Sequence, residues 1–563
     1  MRGERAVSER MQSSVPSFFP SEDGNEPDRI RFVKLMEQIV NGVDQLKNPD
    51  GVNLKGEKER TDLFYKDLIQ TSEIPSSSTP LEQVNEDLVK LLHNHPYHTK
   101  YFLTNILPMA SIPGILGMLT AFLVNGNNLW DVYGPAGAEA EVRVISMMSK
   151  LIGYVPERSG GYTTWGGQGA VFSGLRMAIA KFAPDAPRLG VPSHFYTFCS
   201  EAAHYSLFKS MEATGLGSSR LVKVRTMPDS SMDVEDLRSK LEEVIANGGI
   251  PIYIVATTGT TDAMGIDDVE EISRVSSEIA AKHGLRRPHL HADSALGGFF
   301  AFFNEYDFAA NPLAFKPEVC EALLGIQRKM NHLRLADSLC FDFQKLGQTP
   351  YLTSLFLIQD AADLNLVDLK EEETPYVGHR GYGQYHTGYT LECSRMASSI
   401  SIYSALLAFG MEGYQRLLAQ FVEVNLAFRA AIRDELPQAE IVNPDNPGIV
   451  TLFRIYPEGA HDFRDECSGQ CTLADIERTN RFNERLFEVL GEQRDRIFFG
   501  DTKKHLVVPT KDGSSTALYA TKIFVISPYT EIGHVPEIVR YLKENVELVY
   551  EKYSETPMIS GRL

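Results

Sequence analysis

Between His194 and Asp293 the chain alternates short apolar runs with amphipathic helical patterns, and this alternation narrows the possible folds more than any other feature. HFYTFCS (194–200) reads as a strand and HYSLFKSMEAT (204–214) as a helix. RLVKVRT (220–226) reads as the next strand. The helix that follows, over Asp233–Asn247, carries an apolar stripe of Val234, Leu237, Leu241, Val244 and Ile245, with Gly248 as its stop. PIYIVATT (251–258) is apolar on both faces, as a strand covered from both sides must be. A helix over Asp267–His283 turns Val269, Ile272, Val275 and Ile279 inward, Gly284 ends it, and PHLHAD (288–293) returns to strand. Repeated β-α-β units imply an α/β fold with a mostly parallel sheet wrapped by helices. Ligands in such sheets sit beyond the carboxyl ends of the strands, so strand-end residues carry the functional information.

The pattern changes after about residue 410. IVTLFRIY (449–456) and ATKIFVIS (520–527) stand either side of a helix over Leu473–Leu490, and Pro536–Tyr553 is a final helix. Residues 411–563 therefore read as a small α+β domain and 131–410 as one large domain. Residues 1–28 are charged and Pro- and Ser-rich with no apolar signal core, which predicts a mobile arm. The intervening 29–130 reads as a helical segment. Within it, no charge falls between Lys100 and Asp131, a run long enough to cross a bilayer. Pro108, Pro113, several Asn and the lack of a basic cluster on one flank favour a buried or subunit-interface helix instead. Residues 360–386 show no period and read as a functional loop or a disordered segment.

Charge excludes some partners. With 55 Lys plus Arg against 74 Asp plus Glu the net charge is −19, which opposes nonspecific binding to nucleic acid or anionic membrane. Six cysteines in 563 residues do not make a disulfide scaffold, so a cytoplasmic, reducing location is expected. No metal is expected. His93, His95 and His98 are interrupted by Pro96, and Cys467 and Cys471 lack a second pair. His289 and His291 share a strand face, where packing accounts for them.

Four features could carry chemistry. Gly166-Gly167-Gln168-Gly169-Ala170 precedes a helical run, where free N–H groups can receive a phosphate; a tight turn before a packed helix explains it equally. His204 lies just past a strand. Asp293 ends a strand in HADSALGG (291–298), as a pocket acid or as a cap of the following turn. Lys345, in ADSLCFDFQKLGQTPY (336–351), is flanked by Phe341, Phe343 and Leu346, and desolvation there is expected to lower its pKa. An anion site, an acid for a protonated ring nitrogen and a reactive lysine are together the parts of a pyridoxal-phosphate pocket.

At these residues the chain resembles the group II pyridoxal-phosphate-dependent amino acid decarboxylases of fold type I, from about Pro96 to Tyr414 and more weakly beyond. KLGQTPYLTSLFLIQD (345–360) is most similar to bacterial tyrosine decarboxylases. NGNNLW (125–130) also looks like a family signature. The resemblance implies a seven-stranded-type sheet, pyridoxal 5'-phosphate as cofactor, and a homodimer with its active site at the subunit boundary. It implies that Lys345 is the Schiff-base lysine, that Asp293 binds the pyridine nitrogen and that Ala295 touches the ring. His204 would stack on the ring and assist catalysis. Thr261, in ATTGTTDAMG, matches a pocket threonine, and Gly167, Gln168 and Gly169 match the phosphate turn. Arg395, in LECSR, is suggested for the substrate carboxylate. Tyr376 is the preferred Cα proton donor over Tyr382 and Tyr385. Two positions depart from the family pattern. Gln344 replaces the usual His before the lysine; its amide can donate to a phosphate but cannot exchange protons near neutral pH. Gln168 and Gly169 stand where hydroxyl residues are common, leaving more to backbone N–H groups. The expected reaction is decarboxylation of an L-amino acid, with an aromatic side chain such as that of tyrosine favoured. The alternatives are carbon–carbon cleavage of a phosphorylated amine and a noncatalytic family member.

Overall fold

The computed structural model describes residues 15–104, 108–369, 373, 385–392, 395–457 and 461–555. The chain divides into two units, 1–102 with 494–497, and 103–493 with 498–563. In the first, α1 (Glu26–Leu46), α2 (Phe64–Thr71) and α3 (Leu81–Leu91) follow one another, and Asn85 on α3 donates to the Leu35 carbonyl of α1 at 2.9 Å. Asn25 caps α1 through the Asp28 N–H, and the segment before it turns at Val15–Phe18, whose Ser17 carbonyl accepts from Arg31. None of these three helices has a fully buried residue.

The second unit is built on a seven-stranded sheet of β1 (Gly160–Thr164), β2 (Phe195–Ser200), β3 (Leu221–Val224), β4 (Ile250–Thr257), β5 (His289–Asp293), β6 (Ser338–Asp342) and β7 (Ser354–Ile358). The spatial order is β1-β7-β6-β5-β4-β2-β3. The β2/β3, β2/β4, β4/β5 and β5/β6 pairs are parallel. Only β7 runs the other way, antiparallel to both β1 and β6. Six strands therefore share one direction, and their carboxyl ends form one edge. Ile252, Ile254 and Ala256 of β4 are buried, as are Tyr253 and Val255 on the opposite face, which is why its sequence shows no alternation.

The helices sit where their apolar periods place them: α6 (Gly167–Phe182), α8 (Val234–Ala246) capped by Asp233, and α9 (Val269–His283) capped by Asp268 and closed by Gly284 in a left-handed conformation. The uncharged run forms α4 (Ile112–Val124), and α5 (Pro135–Ile152) follows it. Among the described residues no helix is long and apolar enough to cross a membrane. The supposedly patternless segment after 360 begins with a 3-10 turn over Ala361–Leu366, because the Asp360 side chain accepts from the Ala362 N–H. Beyond it, α11 (Ala397–Glu435) crosses the expected boundary near 410, and its one non-helical residue is Gly410. The chain then forms a second, antiparallel sheet in which β8 (Ala439–Ile441), β9 (Val450–Ile455), β11 (Ala520–Phe524) and β10 (Phe498–Thr502) are adjacent in that order. Helices α12 (Leu473–Glu492) and α13 (Val535–Glu555) complete this α+β region.

Candidate active site

The shared edge gathers the strand-end residues. Asp293 ends β5, Asp342 ends β6, and Lys345 lies three residues further on. Thr257 ends β4 and pairs in register with Asp293. Because β1 runs with β6, its end also delivers the Gly166–Gly167 turn here. A single pocket is lined by Gly167, Gln168, His204, Ser206, Thr257, Gly259, Thr261, Asp293, Ala295, Leu296, Asp342 and Lys345. Residues spread from Gly167 to Lys345 thus meet in one cavity.

Lys345 Nζ lies 2.9 Å from Asp342 Oδ2, and Ser354 donates to the other oxygen of that carboxylate at 2.6 Å. Burial pulls the Lys345 pKa down, but the Asp342 and Asp293 carboxylates outweigh it and the net direction is up. This corrects the expectation drawn from Phe341, Phe343 and Leu346 alone. Those neighbours are fully buried, yet the charge beside the amine decides. Asp342 was missed as a site residue, although it ends a strand as Asp293 does. Replacing Asp342 by Asn is expected to lower the Lys345 pKa, so that capture of a carbonyl compound by the amine reaches its plateau at lower pH. The pH profile of pyridoxal 5'-phosphate uptake by apoprotein measures this, and an unshifted profile would contradict it.

Asp293 Oδ1 accepts from the Ala295 N–H at 3.3 Å and lies 3.3 Å from Cys340 Sγ. His204 is two-thirds enclosed. Burial lowers its pKa, Asp293 opposes that, and the Lys345 charge adds to it, so the ring tends to neutrality. The Ser206 N–H donates to His204 Nδ1 at 3.2 Å, which points the proton of a neutral ring to Nε2.

The glycine turn is shaped for an anion. Gly166 is the N-cap of α6 at φ 140° with no side-chain cap, and the first turn's bonds begin at Gly169 N–H to Gly166 O, 2.8 Å. A Cβ on Gly167 would lie 3.0 Å from Asp342 Oδ1 and 3.3 Å from Ala295 Cβ, so a larger residue would crowd this wall. Gln168 donates its amide to Ser206 O and Ser210 Oγ on α7 (Ser206–Ala213), which leaves anion binding to the backbone. The Gln344 Oε1 accepts from the Thr353 N–H at 3.0 Å, and its Nε2 lies 3.6 Å from where a Gly166 Cβ would stand. The amide donor therefore faces the turn. Among the described residues Thr257 Oγ1 has no hydrogen-bond partner, although it is buried and lines the same pocket. An unpaired buried hydroxyl, an uncapped helix start and a buried lysine–carboxylate pair fit a phosphorylated aldehyde with a basic ring. The loop that carries Thr261 is held from below: Asp262 bridges Lys522 at 2.9 Å and Thr502 at 3.0 Å on the second sheet.

Arg395 does not line this pocket. It forms a buried ion pair with Glu141, Nη2 to Oε2 at 2.7 Å, and donates from Nη1 to the Thr387 and Thr390 hydroxyls. Tyr385 also donates to Glu141. Each guanidinium nitrogen is engaged within the chain, so the residue suggested for a substrate carboxylate is already paired with Glu141. Tyr376 and Tyr382 lie outside the described residues. Among the described residues no group of His, Cys, Asp and Glu could hold a metal ion.

A family model described as the pyridoxal-dependent decarboxylase conserved domain matches residues 66–455. A glutamate decarboxylase-like protein of Gibberella zeae is 25% identical over 426 residues, covering 71% of this chain and 78% of that protein. The L-2,4-diaminobutyrate decarboxylase of Acinetobacter baumannii is 26% identical over 369 residues, 61% of this chain and 66% of that protein. The crystal structure of Oryza sativa TDC with PLP and tryptamine superposes with a TM-score of 0.73 at 17% identity, over 93% of this chain and 98% of that one.

Proposed function

Because the chain belongs to the pyridoxal-dependent decarboxylase family, a fold type I group of carboxy-lyases that use pyridoxal 5'-phosphate, we propose that it converts an L-amino acid with an aromatic side chain to the amine and carbon dioxide. The observation that supports this most is the meeting of Lys345, Asp293, His204 and the glycine turn in one pocket. When bound, the cofactor supplies an electron sink for the pair released at Cα. Lys345 would hold it through Nζ, and the Asp293 carboxylate would keep the ring nitrogen protonated. Ala295 and His204 would border the ring. The backbone N–H groups of Gly167 and Gln168, the Gln344 amide and the Thr257 and Thr261 hydroxyls would receive the phosphate and ring substituents, with Gly169 keeping the turn open. His204, neutral and fixed through Nδ1, orients the bond to be broken.

The aromatic preference is supported by an adjoining cavity lined by Phe122, Trp165, Tyr351, Leu352, Met118 and Met396. The relatives' names span different substrates, so they do not decide it. The test is carbon dioxide release over a panel of L-amino acids with the cofactor supplied. Release from tyrosine or tryptophan above all others supports the reading. Release from none, with cleavage of a phosphorylated amine, replaces it.

The same reading includes a homodimer. Ile112, Ile115, Leu116, Phe122, Leu123 and Val124 of α4 are exposed, a patch that a second copy would cover. Phe122 belongs both to that exposed surface and to the adjoining cavity, which the exposed Leu352 also lines, so the covering copy would also close the site. Phe122→Glu is expected to shift the protein to monomer in light scattering and to cut turnover at least about tenfold. A dimeric, active variant would contradict this. Five described cysteines are free, which is consistent with a reducing, cytoplasmic setting.

A further inference from the structure

The adjoining cavity continues the wall of the lysine pocket. Thr163, Thr164 and Trp165 line it, whereas Gly167 and Gln168, just beyond in the chain, line the other. Tyr351 also lines it, and the charges of Lys345 and Asp342 both act on its phenol. On the decarboxylase reading, this is the cavity a side chain extending from a substrate at Lys345 would enter. Two lining residues are ionisable carboxylate or guanidinium groups, Glu392 and Arg395. Arg395 is already neutralised by Glu141 at 2.7 Å. Glu392 has no such partner. Burial raises its pKa against the opposing pull of its own and the Trp165 backbone N–H and of the Arg395 charge, and its Oε2 is buried without a hydrogen-bond partner among the described residues. A buried acceptor left unpaired is unfavourable until something supplies a donor.

We propose that Glu392 is the specificity-determining residue of this site, accepting a hydrogen bond from an O–H or N–H at the tip of the substrate side chain and disfavouring side chains that end in a carboxylate. The inference rests on the decarboxylase reading for its substrate class and narrows it. The apolar, aromatic wall favours a phenol hydroxyl over an ammonium as the donor. A carboxylate meets repulsion from an ionised Glu392 and no free cation, since Arg395 is engaged.

The test uses the cofactor-loaded protein and product-like amines, whose binding needs no turnover. Tyramine is compared with phenethylamine, which lacks only the hydroxyl, and 1,3-diaminopropane with propylamine, which lacks the second ammonium. Binding is followed by tryptophan fluorescence, for which Trp165 lies in the wall. Wild type is expected to bind tyramine at least about tenfold more tightly than phenethylamine. Glu392→Leu should reduce that ratio to within about twofold, with Glu392→Gln between them. A ratio that appears in the diamine arm instead, and is lost in Glu392→Leu, supports Glu392 as the acceptor and identifies the donor as an ammonium. Equal affinities in both arms of the wild type overturn the proposal, as does discrimination that survives in both variants with unchanged melting curves. A wild type that releases no carbon dioxide from any amino acid defeats the decarboxylase reading separately, because the binding ratios are measured without it.

Discussion

Lys345→Ala is expected to lose the visible absorbance that wild type gains on adding pyridoxal 5'-phosphate, and to release carbon dioxide roughly 10⁴-fold more slowly, the scale seen when one member of a covalent catalytic group is removed. The amine is the only lysine nitrogen among the residues lining the pocket. Its neighbours remain in the variant, so cofactor held by the glycine turn and Asp293 should still protect against thermal unfolding, though less. Full retention of the absorbance would place the attachment elsewhere and remove the basis of the functional reading. A wild type that gains no absorbance would do the same.

Arg395→Ala is the second large expectation, and it separates the structural role from a substrate role. Glu141 is fully buried, with Arg395, Tyr385 and the Thr163 N–H and hydroxyl as its donors. Removing the cation leaves a buried carboxylate uncompensated, which costs about 3–5 kcal/mol. This should appear as a lower denaturant midpoint with an unchanged slope. The pH dependence should also reverse. In wild type, burial pushes the Glu141 pKa up but the Arg395 charge brings it below the usual glutamate value. That stabilisation is present above the unfolded value and is lost as pH falls through the folded one. Without Arg395 only the Tyr385 and Thr163 hydrogen bonds oppose burial, which is the largest influence, so the folded value rises and stability is instead lost as pH rises above the unfolded value. A variant of normal stability with a raised KM would restore Arg395 to the substrate carboxylate.

Much of the sheet was legible because its strands are buried on both faces and its helices carry clean stripes. The strand expected over 251–258 is Ile250–Thr257, and the helix expected over 233–247 is Val234–Ala246 behind its Asp233 cap. What stayed hidden was β1 (Gly160–Thr164) and the reversed β7 (Ser354–Ile358). GGYTT is too short and glycine-rich to show a period, and no local pattern records the direction of a strand.

The same division holds at the site. Lys345, Asp293, His204 and the glycine turn stand at strand ends and turns, where a β-α-β pattern alone predicts function, so their place in one pocket was readable from one dimension. The pairing of Arg395 was not, because its partner Glu141 is 254 positions away, on α5. The protonation of Lys345 was misread for a related reason: flanking residues report burial, while the charge that decides the outcome comes from Asp342 Oδ2 at 2.9 Å and from Asp293 on the neighbouring strand. Sequence by itself determined the layered fold and the chemical parts, since hydrophobic period and strand-end chemistry are local. Only the tertiary structure decided which charges pair, because Coulomb interactions depend on separation in space and on the burial that tertiary packing creates.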